Sequence, residues 1–321
     1  MAALACACSS KPPKGSPTDH GGARYDALET TPSTSADASR QARANHHIKT
    51  VFVIVLENHD WQSIKGNSSA PFLNGILSSG AHAEAYRSPQ EIHPSEANYV
   101  WLEAGDNLAI LDDDDPSANY RTTRAHLTRQ LDTAEIPWTA YEEDIPGDTC
   151  PLTSVGAYAP KHDPMLFFDD VTDARDPKSA HCIAHVRPYA ELARDLAAGT
   201  VAAYNFITPN LCHDMHDTCV SSNEVTEGDS WLAREVPQIL SSKAYRDGGA
   251  LFIVWDENGG AAGATIGLIA LSPFAKPGYS NVVSYTHSSL LRTVQDVFAL
   301  QPYLRDAANA TNLGDLFSAF P

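Results

Sequence analysis

The sequence of 321 residues lacks long apolar runs and is poor in basic residues, and both shortages exclude classes of protein. No stretch approaches the twenty or so apolar residues that a helix needs to cross a bilayer. Lys and Arg number 22 against 40 Asp and Glu, for a formal net charge of −18. That balance argues against binding to nucleic acid or to an anionic membrane. A phosphate-like ligand would need a local cation or metal ion to offset the negative field.

The sequence also lacks a cysteine zinc motif, because none of its six cysteines has C-x-x-C spacing. Four of them lie in the body of the chain, where an even number allows three pairings: Cys150, Cys182, Cys212 and Cys219. If the protein is exported, we expect disulfides that join the first to the second and the third to the fourth. In a cytosolic protein the same residues would be free thiols.

The start of the chain resembles the end of a bacterial lipoprotein signal, because small residues precede Cys6 and Cys8. It lacks the charged and most of the apolar region of such a signal, so a truncated signal and a functionless Ala-rich start both stay open. Residues 9–45 are rich in Ser, Thr, Pro and Gly, which predicts a flexible tether. We therefore divide the chain into a signal-like start with a tether, 1–45, and one folded domain, 46–321. This organisation predicts a secreted or surface lipoprotein of a bacterium, possessing a lipid anchor near its N-terminus.

Apolar runs alternate with helical patterns along the folded domain. The runs span 51–56, 201–208, 250–255 and 265–271, and the first lacks the alternation of a half-exposed strand. Such a run is typical of a parallel strand covered on both faces. Helical patterns span 187–199, 230–241 with Asp229 as N-cap, and 287–300. The alternation predicts an α/β fold, a three-layer sandwich with a central, mainly parallel sheet and helices on both faces.

Polar residues follow three of the predicted strands. Because ligands bind beyond the carboxyl ends of parallel strands, these residues should meet at one site. Carboxylates that converge repel one another unless a cation lies between them. Oxygen ligands favour Ca²⁺, Mg²⁺ or Mn²⁺, and added histidine would admit zinc or iron. Each residue alone could equally be an ordinary cap or loop residue: Glu57, Asn58, Asn210, His213, Asp214, His216, Asp217, Asp256 and Glu257.

Ser95 is the candidate nucleophile, because it follows Pro94 in the first turn of a predicted helix. The free N–H groups and positive potential of a helix N-terminus favour an incoming phosphate and an ionised hydroxyl. A plain helix cap is the alternative interpretation of this serine.

Six motifs in order along the chain together resemble the phosphoesterase family of bacterial and fungal acid phosphatases and bacterial phospholipases C, within the alkaline phosphatase superfamily. They are LENH from Leu56, HPSEANY from His93, YAPKHDP from Tyr158 with FFDD from Phe167, TPNLCHDMHD from Thr208, WDENGG from Trp255 and YTHSSLLRT from Tyr285. The resemblance implies an alkaline-phosphatase-like fold and hydrolysis of phosphate esters.

The resemblance also implies roles for individual residues. The metal ligands would be Glu57, Asn58, Ser95, Asp256 and Glu257, with Ser95 also the nucleophile. The catalytic histidines, which hold phosphate or protonate the leaving group, would be His162, His216 and His287. Substrate-binding residues would be Asn210, His213, Asp214 and Asp217. His59 and Asp60 depart from the family pattern and inherit no role. The two-zinc site of alkaline phosphatase has an Asp-His pair where this chain has Asp256 and Glu257, which favours one metal ion.

The function that the resemblance implies is a phosphatase acting on small phosphate monoesters through a phosphoserine. One divalent ion, Ca²⁺, Mg²⁺, Mn²⁺, Zn²⁺ or iron, would be the cofactor. If protonated histidines act, activity should favour acid pH. A phosphodiesterase or phospholipase C that acts on phospholipid head groups is the alternative within enzymes, and a non-catalytic surface binding protein is the alternative outside them.

Overall fold

The computed structural model describes residues 35–321. The signal-like start, its candidate lipid-bearing cysteines and most of the predicted tether lie outside the described residues. Ser35–Asn45 forms an α-helix where the sequence predicts a tether. Its Ala and Arg residues favour a helix, and Lys49 Nζ donates a hydrogen bond to the carbonyl oxygen of Arg43 near its end. The domain boundary at residue 46 stays a prediction.

The strands and α-helices of residues 35–321 follow in chain order. The strands are β1 (Thr50–Leu56), β2 (Ala81–Ala83), β3 (Tyr86–Arg87), β4 (Trp138–Glu142), β5 (Val186–Pro188), β6 (Tyr204–Thr208), β7 (Gly249–Trp255), β8 (Leu268–Leu271), β9 (Tyr279–Asn281) and β10 (Tyr285–Thr286). The helices are α1 (Ser35–Asn45), α2 (Trp61–Ile64), α3 (Pro71–Ile76), α4 (Ser95–Ala104), α5 (Pro116–Asn119), α6 (Leu127–Thr133), α7 (Asp169–Thr172), α8 (Ala180–His185), α9 (Leu192–Ala198), α10 (Glu224–Ser241), α11 (Lys243–Arg246) and α12 (His287–Val297).

One eight-stranded sheet forms the centre of the fold, in the order β5-β4-β6-β1-β7-β8-β2-β9. Strands β5, β4, β6, β1 and β7 are mutually parallel, and β8 alone runs antiparallel to its two neighbours. The remaining strands β3 and β10 pair as a short parallel ribbon. The predicted α/β fold with a mainly parallel sheet is therefore confirmed.

Burial explains why the central strands carry uninterrupted apolar runs. Every residue of β7 and all of β1 beyond its first residue are buried, so both faces of these strands are covered. The helices that cover the sheet form two packed groups, one of α4, α6 and α12, the other of α3, α9, α10 and α11. Among residues 35–321, no helix is long and apolar enough to cross a membrane.

Helix α10 begins earlier than the sequence predicts, and Asp229 is not its N-cap. The cap is Asn223, whose side chain accepts a hydrogen bond from the Thr226 amide. Asp229 lies within the helix and instead accepts hydrogen bonds from the Phe72 and Leu73 amides at the start of α3. Its carboxylate thus satisfies free N–H groups of a different helix.

Both predicted disulfides are present. One joins Cys150 to Cys182, and the other joins Cys212 to Cys219. The second closes a short loop that follows β6, and this loop carries several of the candidate site residues.

Candidate active site

Three neighbouring parallel strands bring their carboxyl ends together at one edge of the sheet. Glu57 follows β1, and Asp256 follows β7. The loop after β6 reaches the same edge, because the Glu57 amide donates to the carbonyl oxygen of Asp214 at 2.8 Å. The Asn58 amide donates to Asp256 Oδ1 at 2.9 Å. Three carboxylates from three strand ends are therefore adjacent, as the topology of a parallel sheet predicts.

Ser95 is the first residue of α4 and points at this group. Its hydroxyl donates a hydrogen bond to Glu57 Oε2 at 2.8 Å, and its exposed fraction is 3%. Pro94 occupies the N-cap position, and no side chain caps the helix there. Ser95 is thus not the N-cap of α4, and its hydroxyl lies beside the buried carboxylate at a helix N-terminus.

His162 lies between two of the carboxylates without forming a hydrogen bond to either. Its Nε2 is 3.3 Å from Glu57 Oε1, and its Nδ1 is 3.2 Å from Asp214 Oδ2. Tyr99 stacks on the ring with centroids 4.9 Å apart. Burial, together with the charge of Lys161, lowers the pKa of His162 to about 3. The ring is therefore neutral and can offer a lone pair.

Four buried ligand atoms at this edge lack a hydrogen-bond partner: Glu57 Oε1, His162 Nε2, Asp214 Oδ2 and Asp256 Oδ2. One ligand atom from each of Glu57, His162 and Asp214 lies within 4.8 Å of the other two. Buried polar atoms are normally paired, and one bound cation would pair these four together. The donor set, carboxylate oxygens with one imidazole, fits a divalent cation.

The pKa values of the carboxyl groups show how a cation would stabilise this group. Burial raises the pKa of Glu57 well above its usual range, and the charges of Asp256 and Asp214 raise it further. Burial also raises the pKa of Asp214 to about 8 and that of Asp256. A divalent ion would supply the positive charge that lets these groups ionise together.

Glu257 lies on the side of the site near the start of α4. Its Oε2 accepts a hydrogen bond from Asn98 Nδ2 at 2.9 Å and is 2.9 Å from His93 Nδ1. Burial, followed by the charge of Asp256, raises the pKa of Glu257 to about 7. His93 was not among the predicted site residues, although its place in the HPSEANY motif, two residues before Ser95, was a signal.

The other two predicted catalytic histidines differ in position. His287 is fully buried, with Nε2 2.6 Å from the carbonyl oxygen of Asp256 and Nδ1 3.0 Å from the Tyr86 hydroxyl. Both of its ring nitrogens are therefore occupied. His216 is partly exposed, its ring centroid lies 6.1 Å from that of His162, and its amide donates to Asp214 Oδ1. Of these two rings, only that of His216 has solvent access.

Two predicted substrate-binding residues, Asn210 and His213, belong to a neighbouring acidic group. Asn210 Nδ2 donates to Asp144 Oδ2 at 2.6 Å, and His213 Nδ1 is 2.8 Å from Glu143 Oε2. The Asn210 side-chain oxygen accepts from the backbone amide of His213, so it holds the turn. Asp217 is half exposed and contacts His216. The substrate-binding roles of all of these stay predictions.

Lys161 is a functional candidate that the sequence reasoning did not name. Its Nζ donates to Asp113 Oδ2 at 2.8 Å, and Asp113 Oδ1 accepts from the Glu96 amide in the first turn of α4. Burial lowers the pKa of Lys161, but its hydrogen bond to Asp113, together with the charges of Asp113, Glu57 and Asp256, raises the pKa overall. A protonated ammonium group is thus held beside the N-terminus of α4, next in sequence to His162.

The chain is similar to known proteins in sequence and in fold. The model of the phosphoesterase family matches residues 68–301. The chain is 28% identical to a phosphatidylinositol-3-phosphatase of Mycobacterium tuberculosis, over 83% of this chain and 82% of that protein. It is 25% identical to an acid phosphatase of Aspergillus fumigatus, over 76% of this chain but only 53% of the fungal protein. Among solved structures, a Vibrio parahaemolyticus protein of the alkaline phosphatase superfamily shares the fold, with a TM-score of 0.53, 9% identity and coverage of 84% of this chain and 75% of that one.

Proposed function

This chain belongs to the phosphoesterase family and is a hydrolase of phosphoric esters; we propose that it acts on phosphate monoesters, with Ser95 as nucleophile and one divalent metal ion as cofactor. The observation that carries the proposal is the contact of the Ser95 hydroxyl with Glu57, inside a group of buried carboxylates with unpaired oxygens.

The residues that would hold the metal ion are Glu57, Asn58, Ser95, Asp256 and Glu257, and the unpaired atoms support adding Asp214 and His162 to the candidates. When bound, the ion would act as a Lewis acid that lowers the pKa of a coordinated hydroxyl. Its identity stays open among Ca²⁺, Mg²⁺, Mn²⁺, Zn²⁺ and iron.

Ser95 would attack the phosphorus atom in line, forming a phosphoserine as the ester oxygen departs. Charge on the phosphoryl oxygens would be stabilised by the positive end of the α4 dipole and by the ammonium group of Lys161. Attack by water on the phosphoserine would then release phosphate and regenerate the hydroxyl. Each of these groups would act from a position held by the fold, which supports a mechanism in which positioning contributes to catalysis.

His216 is the candidate for protonating the leaving group, because its ring reaches solvent. His162 and His287 are better candidates for positioning roles. His162 faces the carboxylates of Glu57 and Asp214, and His287 contacts the backbone carbonyl oxygen of Asp256. An imidazole must be protonated to donate, so activity should favour acid pH.

The natural location that fits these features is extracytoplasmic, since two disulfides form readily only in an oxidising compartment. Phosphorylated lipids are reasonable test substrates, because the Mycobacterium tuberculosis relative is named for one. Phosphodiesters remain the competing substrate class.

Hydrolysis of p-nitrophenyl phosphate and of p-nitrophenyl phosphorylcholine by the same preparation tests the proposal. Ser95→Ala should lower monoester turnover by ~10³-fold or more, as expected for loss of a nucleophile. Ser63→Ala, which removes an exposed hydroxyl on α2, is the matched control and should leave turnover unchanged. A chelator should abolish activity, and one of the divalent ions should restore it. Faster turnover of the choline diester would assign the enzyme to the diesterases, and no turnover of either substrate would favour a binding protein.

A further inference from the structure

A second cluster of metal-ligand side chains lies away from the candidate active site and shares no residue with it. Asp132 on α6 faces His181 and His185, which are four residues apart on α8. One ligand atom of each lies within 4.8 Å of the other two. The two imidazole centroids are 4.6 Å apart, and Asp132 Oδ2 is 3.2 Å from His181 Nε2.

Trp138, at the start of β4, fixes the orientation of two of the three side chains. Its carbonyl oxygen lies 2.8 Å from His185 Nδ1. Because a carbonyl oxygen only accepts, His185 carries its proton on Nδ1 and leaves the Nε2 lone pair free. The indole Nε1 of Trp138 donates to Asp132 Oδ1 at 2.8 Å, so the other carboxylate oxygen, Oδ2, is the one that faces His181. Hydrogen bonds of this kind behind metal ligands set the tautomer and orientation of the ligands.

The separations suit a shared ion. Two atoms bound tetrahedrally to zinc at about 2.0–2.1 Å lie roughly 3.3 Å apart, close to the 3.2 Å between Asp132 and His181. A direct ion pair between Asp132 and His181 would also account for this distance, but it would not involve the free Nε2 of His185, whereas a shared ion would.

The surroundings hold the ligands in place and leave a path from solvent. Trp138 stacks on His185 with centroids 4.2 Å apart, and Cys182, between the two histidines, is joined to Cys150. The His181 side chain is 33% exposed and that of Asp132 is 24% exposed, so an ion and a water ligand can reach them.

We propose that Asp132, His181 and His185 form a second metal site, which binds Zn²⁺ through two imidazole nitrogens and one carboxylate oxygen with water as the fourth ligand. The donor set is richer in nitrogen than the oxygen-rich active site, which favours zinc or another borderline ion over Mg²⁺ or Ca²⁺. By linking α6 to α8, the ion braces the edge of the sheet that carries β4 and β5.

Equilibrium dialysis of the full chain against Zn²⁺, with metal analysis of the protein, tests the site. All variants keep the candidate active site, so any zinc bound there is the same in each of them. A difference in zinc content between a variant and the parent therefore reports on this cluster. The variants are Asp132→Asn, which keeps the acceptor for Trp138, and the double variant His181→Ala with His185→Ala. Each should lose one zinc equivalent per chain or weaken its binding at least tenfold. The control His47→Ala removes an exposed histidine elsewhere and should bind zinc like the parent.

Near-ultraviolet circular dichroism and turnover of p-nitrophenyl phosphate report whether each variant is folded, and both should match the parent because the cluster lies outside the active site. If the double variant fails to fold, the single variant His181→Gln takes its place with the same expectation of weaker binding. Zinc stoichiometry and affinity equal to those of the parent in a folded Asp132→Asn and in the folded histidine variant would overturn the proposal.

Discussion

Replacing Asp214 with asparagine should make the metal-free protein more stable, and the gain should grow with pH. Burial raises the pKa of this carboxyl group from 3.8 to about 8. Between these values the folded protein keeps a proton that the unfolded chain has lost, so the parent becomes less stable as pH rises. Each pKa unit corresponds to about 1.4 kcal/mol, which gives asparagine an advantage of ~2 kcal/mol at pH 5 and on the order of 5 kcal/mol at pH 8.

The amide is close to isosteric with the carboxyl group, and its oxygen can still accept from the His216 amide, as Asp214 Oδ1 does at 2.8 Å. Urea unfolding in excess chelator at pH 5 and pH 8 measures the effect, with Asp247→Asn, at an exposed carboxylate, as the control. Adding the activating metal ion should reverse the order, because only the parent keeps the full set of ligands. A variant that is less stable than the parent at pH 8 in chelator, or that has the same pH dependence, would refute this reasoning.

Three further predictions concern stability and metal affinity. His126→Gln should cost about 3–5 kcal/mol, because it breaks a buried charge pair. Burial lowers the pKa of His126, but the hydrogen bonds that its ring donates to Asp170 and Glu103, together with the charges of these carboxylates, raise it more. The stabilisation by His126 is complete below its ordinary pKa of about 6.5 and is lost as pH rises through the raised pKa, so urea unfolding of the variant should depend less on pH in that window. Metal affinity should be at least tenfold weaker at pH 6 than at pH 8 by isothermal titration, because burial raises the pKa of Glu257 to about 7 and that of Asp214 to about 8, and these protons must leave as the ion binds. Equal affinities would argue against carboxylate ligands. Gly105→Ala should lower the thermal unfolding midpoint, since Gly105 has φ +70° and an added Cβ would lie 2.6 Å from a backbone carbonyl oxygen; an unchanged midpoint would contradict that steric argument.

The sequence predicted the central strands and the meeting of their ends because both follow from local signals. Continuous apolar runs identify strands covered on both faces, and neighbouring parallel strands must deliver their following residues to one edge. Glu57 and Asp256 are therefore adjacent, as expected. The position of Ser95 at the start of α4 followed from Pro94 and the helical pattern after it.

The arrangement of the loop after β6 could not be predicted from the sequence in the same way, because its path depends on tertiary contacts. Asn210 holds a turn with its own side chain and faces Asp144, so the residues of one motif divide between two groups. Glu143 and Asp144 reach that place because β4 lies beside β6, and strand order cannot be read from periodicity. Asp229 was misassigned for a similar reason, since its partners on α3 lie far away in sequence.

The central claim is that Ser95 carries the phosphoryl group during turnover, and mass spectrometry of the acid-quenched enzyme tests it most directly. The metal-loaded protein is mixed with p-nitrophenyl phosphate, quenched during steady-state turnover and digested. We expect one added phosphoryl group on the peptide that contains Ser95, absent from Ser95→Ala and from chelator-treated protein. An enzyme that turns over without phosphorylation of that peptide, while Ser95→Ala keeps parental activity, would contradict it.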